Sequence, residues 1–306
     1  MERDLRSTTS LFEKSGDLVH MLPPSLTEVL SILAEEKGKA KILAGGTDLL
    51  PLMFSRQVQL DKLLSLKMIE ELHGIENEEK FITVGATSRL SEVEESPILK
   101  GMIPILPSAI SEMGSWQIRN RGTVGGNLCN ASPAADTAAP LLVLDSEVVL
   151  QSTQGERRIP LADFFVGPGQ TALRGDEILE KIMIPKPPAG GDGVYIKLGR
   201  RRAMEIAIAG VAVWVLPEIS EQRVKEIRIA LSSAGPVPFR AYEAESRLKG
   251  ERIEEKAIEE AAEIAARLSR PITDVRGTKE YRTEMVRVLT KRAILQALDK
   301  TAGDHL

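Results

Sequence analysis

Apolar positions recur at helical spacing in three segments of the chain and predict three amphipathic helices. In the first segment, Ser25 to Glu28 matches a capping box, and Leu26, Val29, Leu30 and Leu33 follow at intervals of three or four residues. Residues 253–268 and 278–298 show the same periodicity near the C-terminus. We therefore expect one helix from Ser25 to about Glu36 and two long helices at the end of the chain.

Short apolar runs separated by turn residues predict the strands. The runs in the first two thirds of the chain are 39–44, 81–85, 143–150 and 178–184. Further helices are expected to begin at Leu49 and to cover residues 104–113. After residue 193, the runs 194–198, 207–216 and 224–232 follow one another at the spacing of an antiparallel meander.

A Pro- and Gly-rich stretch, Lys186 to Gly193, divides the chain. A length of 306 residues also favours two domains over one. We predict domains of residues 1–190 and 191–306, the second with strands followed by helices, and an α+β fold class.

Residues 114–140 show little periodicity and are rich in Gly, Asn, Ser and Pro. This segment is predicted to be a long loop. Loops of this length inside a domain are uncommon and usually carry function.

Charge and hydropathy exclude two classes of partner. The chain has 40 Lys and Arg against 44 Asp and Glu, a net charge of −4, so we expect no nucleic-acid partner. No apolar run reaches the length of a membrane span, and the first 16 residues contain no apolar segment typical of a signal peptide. A cytoplasmic protein is therefore expected.

The cysteine content limits the redox chemistry that the chain can perform alone. Cys129 is the one cysteine, so an intrachain disulfide and a cysteine-ligated cluster are excluded, and the three histidines are scattered. We expect no metal site and assign no catalytic residue. If the protein performs redox chemistry, it requires an organic cofactor.

Two Gly-Gly turns are the candidate ligand-binding elements. The first joins a strand to a helix through Ile42, Leu43, Ala44, Gly45, Gly46, Thr47, Asp48 and Leu49, and the second consists of Thr123, Val124, Gly125, Gly126 and Asn127. Bare backbone N–H groups near a helix start favour a phosphate. Each turn alone has a structural alternative: a tight turn capped by Thr47 or Asp48, and an Ω-loop. Together they favour a pyrophosphate, and neither matches a Rossmann or P-loop motif.

Four segments in this order resemble the FAD-binding medium subunit of the molybdenum hydroxylases, the group of carbon monoxide dehydrogenase, xanthine dehydrogenase and nicotinate hydroxylase. They are AGGTDLLPLM (44–53), QIRNRGTVGGNLCNASPAADTAAPLLVLDSEVVL (117–150), YIKLGRRRAMEIAIAGVAV (195–213) and IALSSAGPVPFRA (229–241). The specific signal is T-x-G-G-N followed by P-x-x-D.

The resemblance implies a two-part FAD-binding domain of the vanillyl-alcohol-oxidase (PCMH) type and a small C-terminal domain of antiparallel strands and a helical bundle. It implies that both turns hold the FAD pyrophosphate and ribityl chain, and that Asp136 bonds a sugar hydroxyl or the adenine edge, far from the isoalloxazine ring. Leu179 would pack on the flavin–adenine region, and Lys197, with Tyr195 close by, would lie at the polar edge of the isoalloxazine. The structural alternatives are a helix N-cap for Asp136, a core strand for Leu179 and a solvated face for Lys197.

The resemblance also implies the partners. Substrate oxidation would occur at the molybdenum cofactor of a large subunit, and [2Fe–2S] clusters of a small subunit would pass the electrons to this flavoprotein, which hands them to an external acceptor. A dimer of heterotrimers is one expected assembly. The alternatives are a stand-alone FAD-dependent oxidase or dehydrogenase of the same fold and a cofactor-free structural or assembly relative.

Overall fold

The computed structural model describes residues 18–36, 38–58, 60–201 and 203–303. The N-terminal segment in which we expect no signal peptide lies outside these residues. The described chain folds around three hydrophobic cores, one in each of two N-terminal subdomains and one in the C-terminal domain.

The first subdomain is a small parallel sheet covered by a helix. Its strands run in the order β1–β3–β2, and α1 packs on them through Val29, Leu30 and Leu33. The Ser25 hydroxyl accepts a hydrogen bond from the Glu28 amide at 3.3 Å, as expected for the predicted cap. The elements are β1 (Val19–Met21), α1 (Leu26–Glu36), β2 (Ala40–Leu43), α2 (Leu49–Phe54) and β3 (Lys62–Ser65).

The second subdomain is an antiparallel five-stranded sheet in the order β4–β5–β10–β6–β7, with short helices packed on it. Ile182 of the central strand β10 pairs with Val84 of β5 on one side and with Val148 of β6 on the other. All three side chains are fully buried in the core. The strands are β4 (Ile75–Asn77), β5 (Phe81–Gly85), β6 (Glu147–Ser152), β7 (Gly155–Pro160), the hairpin β8 (Phe165–Gly167) and β9 (Gln170–Thr171), and β10 (Ile178–Pro185). The helices are α3 (Leu90–Glu95), α4 (Pro97–Met102), α5 (Ile105–Ser111), α6 (Trp116–Arg119), α7 (Val124–Cys129), α8 (Ala138–Val143) and α9 (Leu161–Phe164).

The C-terminal domain is an antiparallel sheet, β11–β12–β13–β14, with α10 and α12 packed on one face and α11 packed on these two helices. Alternate residues of β12 face opposite sides: Val211 and Val213 pack towards the helices, and Ala212 and Trp214 join the core of the second subdomain. Both faces are buried, which explains the continuous apolar run. The elements are β11 (Asp192–Leu198), β12 (Ala209–Glu218), β13 (Arg223–Ser232), β14 (Phe239–Arg240), α10 (Tyr242–Leu248), α11 (Glu255–Leu268) and α12 (Lys279–Gly303), with a 3-10 turn at Ile219–Glu221. A further 3-10 turn, Glu70–Leu72, lies between β3 and β4 in the N-terminal part of the chain.

The α+β fold class and the antiparallel C-terminal domain are confirmed, but the long loop predicted over residues 114–140 is wrong. That segment contains α6, α7 and the start of α8. The hydroxyls of Ser115 and Thr123 cap the first two of these helices. Helices of four to six residues, one with two glycines, leave no periodicity to detect. Val143 likewise ends α8, so the strand predicted from it begins at Glu147 instead.

One buried arginine of α12 fixes three loops at one end of the C-terminal sheet. The guanidinium of Arg282 donates to the carbonyls of Ile208 at 2.9 Å, Ser233 at 2.9 Å and Ile272 at 3.0 Å, and its side chain is 5% exposed. The carboxylate of Asp274 lies 3.3 Å from the same group and balances its charge. These loops therefore depend on a single side chain.

We expect Arg282→Met to destabilise the protein by roughly 3–5 kcal/mol, because the carbonyls of Ile208, Ser233 and Ile272 lose their donor, while Asp274 keeps its pair with Arg276. The measurement is the urea midpoint of unfolding. Arg287→Met is the matched control on the same helix, since Arg287 pairs with Glu284 at the surface, and we expect no measurable shift. Equal losses in the two variants would contradict this role.

Candidate functional site

The two glycine turns lie against each other. A Cβ built on Gly45 would lie 2.2 Å from the carbonyl oxygen of Arg121 and 2.8 Å from the Cα of Gly122. A Cβ on Gly122 would in turn lie 3.1 Å from the Ile118 carbonyl oxygen and 3.4 Å from the Thr47 hydroxyl. This backbone contact leaves no room for a side chain at Gly45. The two motifs, far apart in sequence, therefore form one surface.

The first turn leads directly into α2. Gly46 has a φ of +76°, a left-handed conformation that favours glycine, and its carbonyl accepts from the Leu50 amide at 3.1 Å. The proposed side-chain cap is wrong: Asp48 is at the N-cap position but makes no capping bond. Its carboxylate accepts instead from the Thr47 hydroxyl at 3.3 Å and from the Asn130 amide at 3.2 Å. The second of these bonds ties the first turn to α7.

The second turn is the first turn of α7 and not part of an Ω-loop. The Thr123 hydroxyl accepts from the Gly126 amide at 3.1 Å. The Gly125 amide donates to the Ala86 carbonyl at 2.9 Å, and a Cβ on Gly125 would lie 2.6 Å from the Cβ of Ala86. Gly125 is thus required for packing of the fold itself. On Gly126 a Cβ would meet only the Thr123 hydroxyl, at 2.8 Å.

Asp136 lies at the junction of the two domains. Its carboxylate accepts from the Tyr195 hydroxyl at 2.8 Å and from the Lys197 ammonium at 2.7 Å. The helix-cap alternative is wrong, because Thr137 is the N-cap residue of α8 and donates its hydroxyl to the side chain of Asn127 at 2.6 Å. That bond links the Asp136 segment to the second glycine turn.

Tyr195 and Lys197 reach Asp136 from the same face of β11, since they are two residues apart on a strand. The Lys197 ammonium also donates to the Glu112 carbonyl at 3.0 Å, and its side chain is only 6% exposed, so the solvated-face alternative is wrong. Asp136 and Lys197 thus form one ion pair, and the distance of Asp136 from the isoalloxazine stays a prediction. Gly210 of β12 leaves the space for Tyr195: a Cβ there would lie 2.7 Å from the Tyr195 hydroxyl.

Burial controls the protonation of this cluster. Loss of solvent raises the pKa of Asp136 above its usual value, while the charge and hydrogen bond of Lys197 and the Tyr195 hydroxyl act in the opposite direction. Burial and then the nearby Asp136 carboxylate raise the pKa of Tyr195 well above its usual range. Tyr195 therefore remains a protonated donor at neutral pH.

A cleft of about 280 Å³, open to solvent, lies beside Lys197. Arg200 and Arg201 form one wall and both contact the carboxylate of Glu205, at 3.5 and 3.4 Å. The lining residues are Glu112, Lys197, Leu198, Gly199, Arg200, Arg201 and Glu205. Solvent can therefore reach the residues around the buried ion pair from this side.

Leu179 lies in the hydrophobic core of the second subdomain, opposite Leu150 of β6, and is 2% exposed. This is the position that the core-strand alternative describes, and the contact of Leu179 with a flavin stays a prediction.

The sequence interpretation missed Asn130, Thr137 and Glu112. Glu112 contributes only a backbone carbonyl, which no side-chain pattern can indicate.

Two negative findings hold for the described part of the chain. Residues 18–36, 38–58, 60–201 and 203–303 contain no group of three or more His, Cys, Asp or Glu that could hold a metal ion. None of the helices among these residues is long and apolar enough to cross a membrane.

Burial raises the pKa of the Cys129 thiol to about 12, so this side chain stays protonated.

We expect Lys197→Met to destabilise the protein in a pH-dependent way. Without the ammonium, burial acts on Asp136 with less opposition and raises its pKa further above the value in the unfolded chain. The folded variant then holds a proton that the unfolded chain releases, so its stability falls as the pH rises through that interval. At pH 8 we expect a loss of about 3–5 kcal/mol relative to the wild type, and a smaller loss at pH 5.

Urea midpoints of the single and double variants at both pH values provide the check. Lys197→Met combined with Asp136→Asn removes the titrating group, and we expect the extra pH dependence to disappear. A loss in the single variant that is the same at pH 5 and pH 8 would contradict this account.

Two family models and several relatives match most of the chain. The family described as FAD binding domain in molybdopterin dehydrogenase matches residues 15–187, and the CO dehydrogenase flavoprotein C-terminal domain matches residues 194–297. The carbon monoxide dehydrogenase medium chain of Hydrogenophaga pseudoflava is 34% identical over 92% of this chain and 96% of its own length. The caffeine dehydrogenase subunit beta of a Pseudomonas species is 33% identical over 92% of this chain and 95% of its own length.

Solved structures give the same result. A chain of carbon monoxide dehydrogenase from Hydrogenophaga pseudoflava superimposes with a TM-score of 0.89 at 34% identity, covering 92% of this chain and 98% of that one. A chain of quinoline 2-oxidoreductase from Pseudomonas putida 86 gives a TM-score of 0.88 at 29% identity, covering 94% and 99%. The resemblance drawn from the sequence motifs is confirmed. The chain belongs to the FAD-binding medium subunits of the molybdenum hydroxylases, which are oxidoreductase subunits, and FAD is its cofactor.

Proposed function

We propose that the FAD pyrophosphate binds where the two glycine turns meet, held by the backbone of residues 42–49 and 123–127. The observation that carries this proposal is the contact of Gly45 with Arg121 and Gly122, which joins the two turns into one surface. The first turn leads into α2, and the leading N–H groups of a helix have no partner within it, so this turn would supply the backbone donors for the diphosphate. In the second turn the Gly125 and Gly126 amides already donate to Ala86 and Thr123, so that turn would contribute its close-packed glycine surface against the diphosphate.

The cluster of Asp136, Tyr195 and Lys197 is proposed to face the polar part of the flavin. When bound, FAD supplies the redox chemistry. Lys197 has three N–H donors, of which Asp136 and the Glu112 carbonyl take two, so one remains for an acceptor. A fixed ammonium at this position would stabilise negative charge that arrives with electrons. Leu179 would pack on the flavin–adenine region of FAD from the side of the hydrophobic core.

We further propose that the chain works as one subunit of a larger complex. Its electrons would come from the [2Fe–2S] clusters of a small subunit, after substrate oxidation in a molybdenum-cofactor large subunit. The relatives are named as medium chains or subunits, and the described residues hold no metal-ligating cluster. Exposed apolar side chains support this proposal: α2 is apolar throughout and has no buried residue, and Val275 is 90% exposed. A dimer of heterotrimers and a cytoplasmic location are part of the same proposal.

The boundary between the FAD-binding domain and the C-terminal domain is proposed to lie between residues 190 and 191. β10 ends at Pro185 and belongs to the second subdomain, while β11 begins at Asp192 and pairs with the C-terminal sheet. The two family matches end at residue 187 and begin at residue 194, which supports a cut in this interval.

We expect Gly46→Ala to lose most of its FAD while keeping the fold. The variant places a methyl group in the turn and strains a backbone at φ +76°. Gly250→Ala is the matched control, because Gly250 has a similar φ of +82° and nothing within 4 Å of the new Cβ. Flavin absorbance after desalting, with circular dichroism as the folding check, is the measurement. We expect Gly46→Ala to retain less than about a tenth of the wild-type flavin, a loss of at least 1.4 kcal/mol in binding.

Full flavin retention in Gly46→Ala would contradict the pyrophosphate site. Equal flavin loss in the two variants would assign the effect to backbone strain instead of to the cofactor.

Co-expression with molybdenum and [2Fe–2S] subunits tests the assembly. We expect the three chains to elute together in size-exclusion chromatography, and we expect iron and molybdenum only in the complex. The chain alone should bind FAD but oxidise no organic substrate. Robust substrate oxidation by the isolated flavoprotein would favour the stand-alone oxidase, and a chain that binds no FAD would favour the cofactor-free relative.

A further inference from the structure

Helix α8 lies between the two domains, with its residues in the core of the second subdomain and its contacts on the C-terminal sheet. It directly follows Asp136 and Thr137, and all six of its residues are buried. It packs against β12, β13 and β14 of the C-terminal sheet. Any movement of the C-terminal domain against the FAD-binding domain therefore acts on this helix.

Two arginines of the C-terminal domain hold the C-terminal end of α8. Arg240 donates to the Leu142 carbonyl at 3.1 Å, and Arg228 donates to the Val143 carbonyl at 3.2 Å. Both guanidiniums also contact the carboxylate of Asp145, which follows the helix. Cations at this end of a helix interact favourably with its dipole and with its unpaired carbonyls.

Each arginine is also fixed within its own domain. Arg240 forms a bidentate pair with Glu245 at 2.6 and 2.7 Å, and Glu245 accepts from the Ile229 amide at 2.8 Å. The guanidinium of Arg228 stacks 4.6 Å above the ring of Trp214 and pairs with Glu226 at 2.9 Å. The donors that reach α8 are therefore held in place before they cross the domain junction.

We propose that Arg228, Asp145 and Arg240, here called the arginine clamp, position Asp136 for the cofactor site. A helix of six residues is only about 9 Å long, so fixing its last turn also fixes the residues before its first turn. Asp136 lies at that point and bonds Tyr195 and Lys197 of the C-terminal domain. The junction thus has two polar anchors joined by one rigid helix. The clamp residues act through α8 and do not touch the cofactor. The effect of the clamp residues on FAD binding rests on the proposed function. Their effect on the arrangement of the domain junction does not.

The variant Asp145→Asn weakens the clamp with little other disturbance. Asp145 is 49% exposed and has a φ of +51°, which asparagine also tolerates. Both arginines keep their intradomain glutamates. Asp145→Gly, which also suits a positive φ, removes the acceptor entirely and should give the larger effect. Glu226→Gln is the matched control, because it removes a carboxylate from the same Arg228 without breaking a contact between the domains.

The first measurement is amide hydrogen exchange in the FAD-free protein. We expect peptides covering residues 133–138 and 192–198 to exchange at least about threefold faster in Asp145→Asn, and faster still in Asp145→Gly. We expect Glu226→Gln to exchange like the wild type. Unchanged exchange in both Asp145 variants, or equal acceleration in Glu226→Gln, overturns the proposal.

The second measurement is FAD binding to the deflavinated proteins. We expect the dissociation constant to rise about three- to tenfold in Asp145→Asn, with a shifted visible spectrum of the bound flavin, and to stay unchanged in Glu226→Gln. If the wild type binds FAD and the Asp145 variants bind it equally well with the same spectrum, the proposal is overturned. If the wild type binds no FAD, the proposed function fails, and the exchange experiment still decides whether the clamp fixes the junction.

Discussion

The buried ion pair between Asp136 and Lys197 is the interaction on which the candidate site depends. Each charge belongs to a different domain, and neither has bulk solvent to stabilise it. A buried charge without its partner is strongly destabilising, so the two domains are held in the one arrangement that keeps the pair together. The pair costs desolvation energy, and replacing a buried ion pair by apolar residues of the same size is often neutral or stabilising. We infer that it is retained because a fixed ammonium is needed at this place, beside the cleft and close to the glycine turns.

The glycine turns contribute a constraint of a different kind. At Gly45 and Gly125 a side chain would collide with protein backbone, so these glycines are required for the fold before any cofactor is considered. Gly46 and Gly126 differ, because a Cβ there would meet only side-chain atoms. A substitution at Gly125 therefore reports on folding, and one at Gly46 reports on the cofactor more directly. The Thr137–Asn127 hydrogen bond connects this surface to Asp136, so the proposed pyrophosphate site and the ion pair form one continuous structure.

Much of the fold could be predicted from the sequence because its long elements have strong periodicity. The helix after Ser25, the strand at Phe81 and the antiparallel C-terminal strands all follow from apolar spacing and turn residues. The helices within residues 114–140 could not be predicted, since they are too short for periodicity and depend on caps such as Thr123. For the site, the two turns predicted as a pair contact each other, and their binding of FAD stays a prediction. The Asp136–Lys197 contact could not be predicted, because the two residues are 61 positions apart in the chain. In addition, an aspartate often caps a helix and a lysine on a strand usually faces solvent, so neither residue type indicates a buried pair.

A crystal structure of the FAD-loaded chain would test the central claim most directly. The account predicts a pyrophosphate in contact with both glycine turns, with its oxygens within about 3.2 Å of backbone amides of the first turn, and the polar edge of the flavin beside the Lys197 ammonium. FAD in contact with only one of the two turns, or with its flavin remote from Lys197, would contradict it.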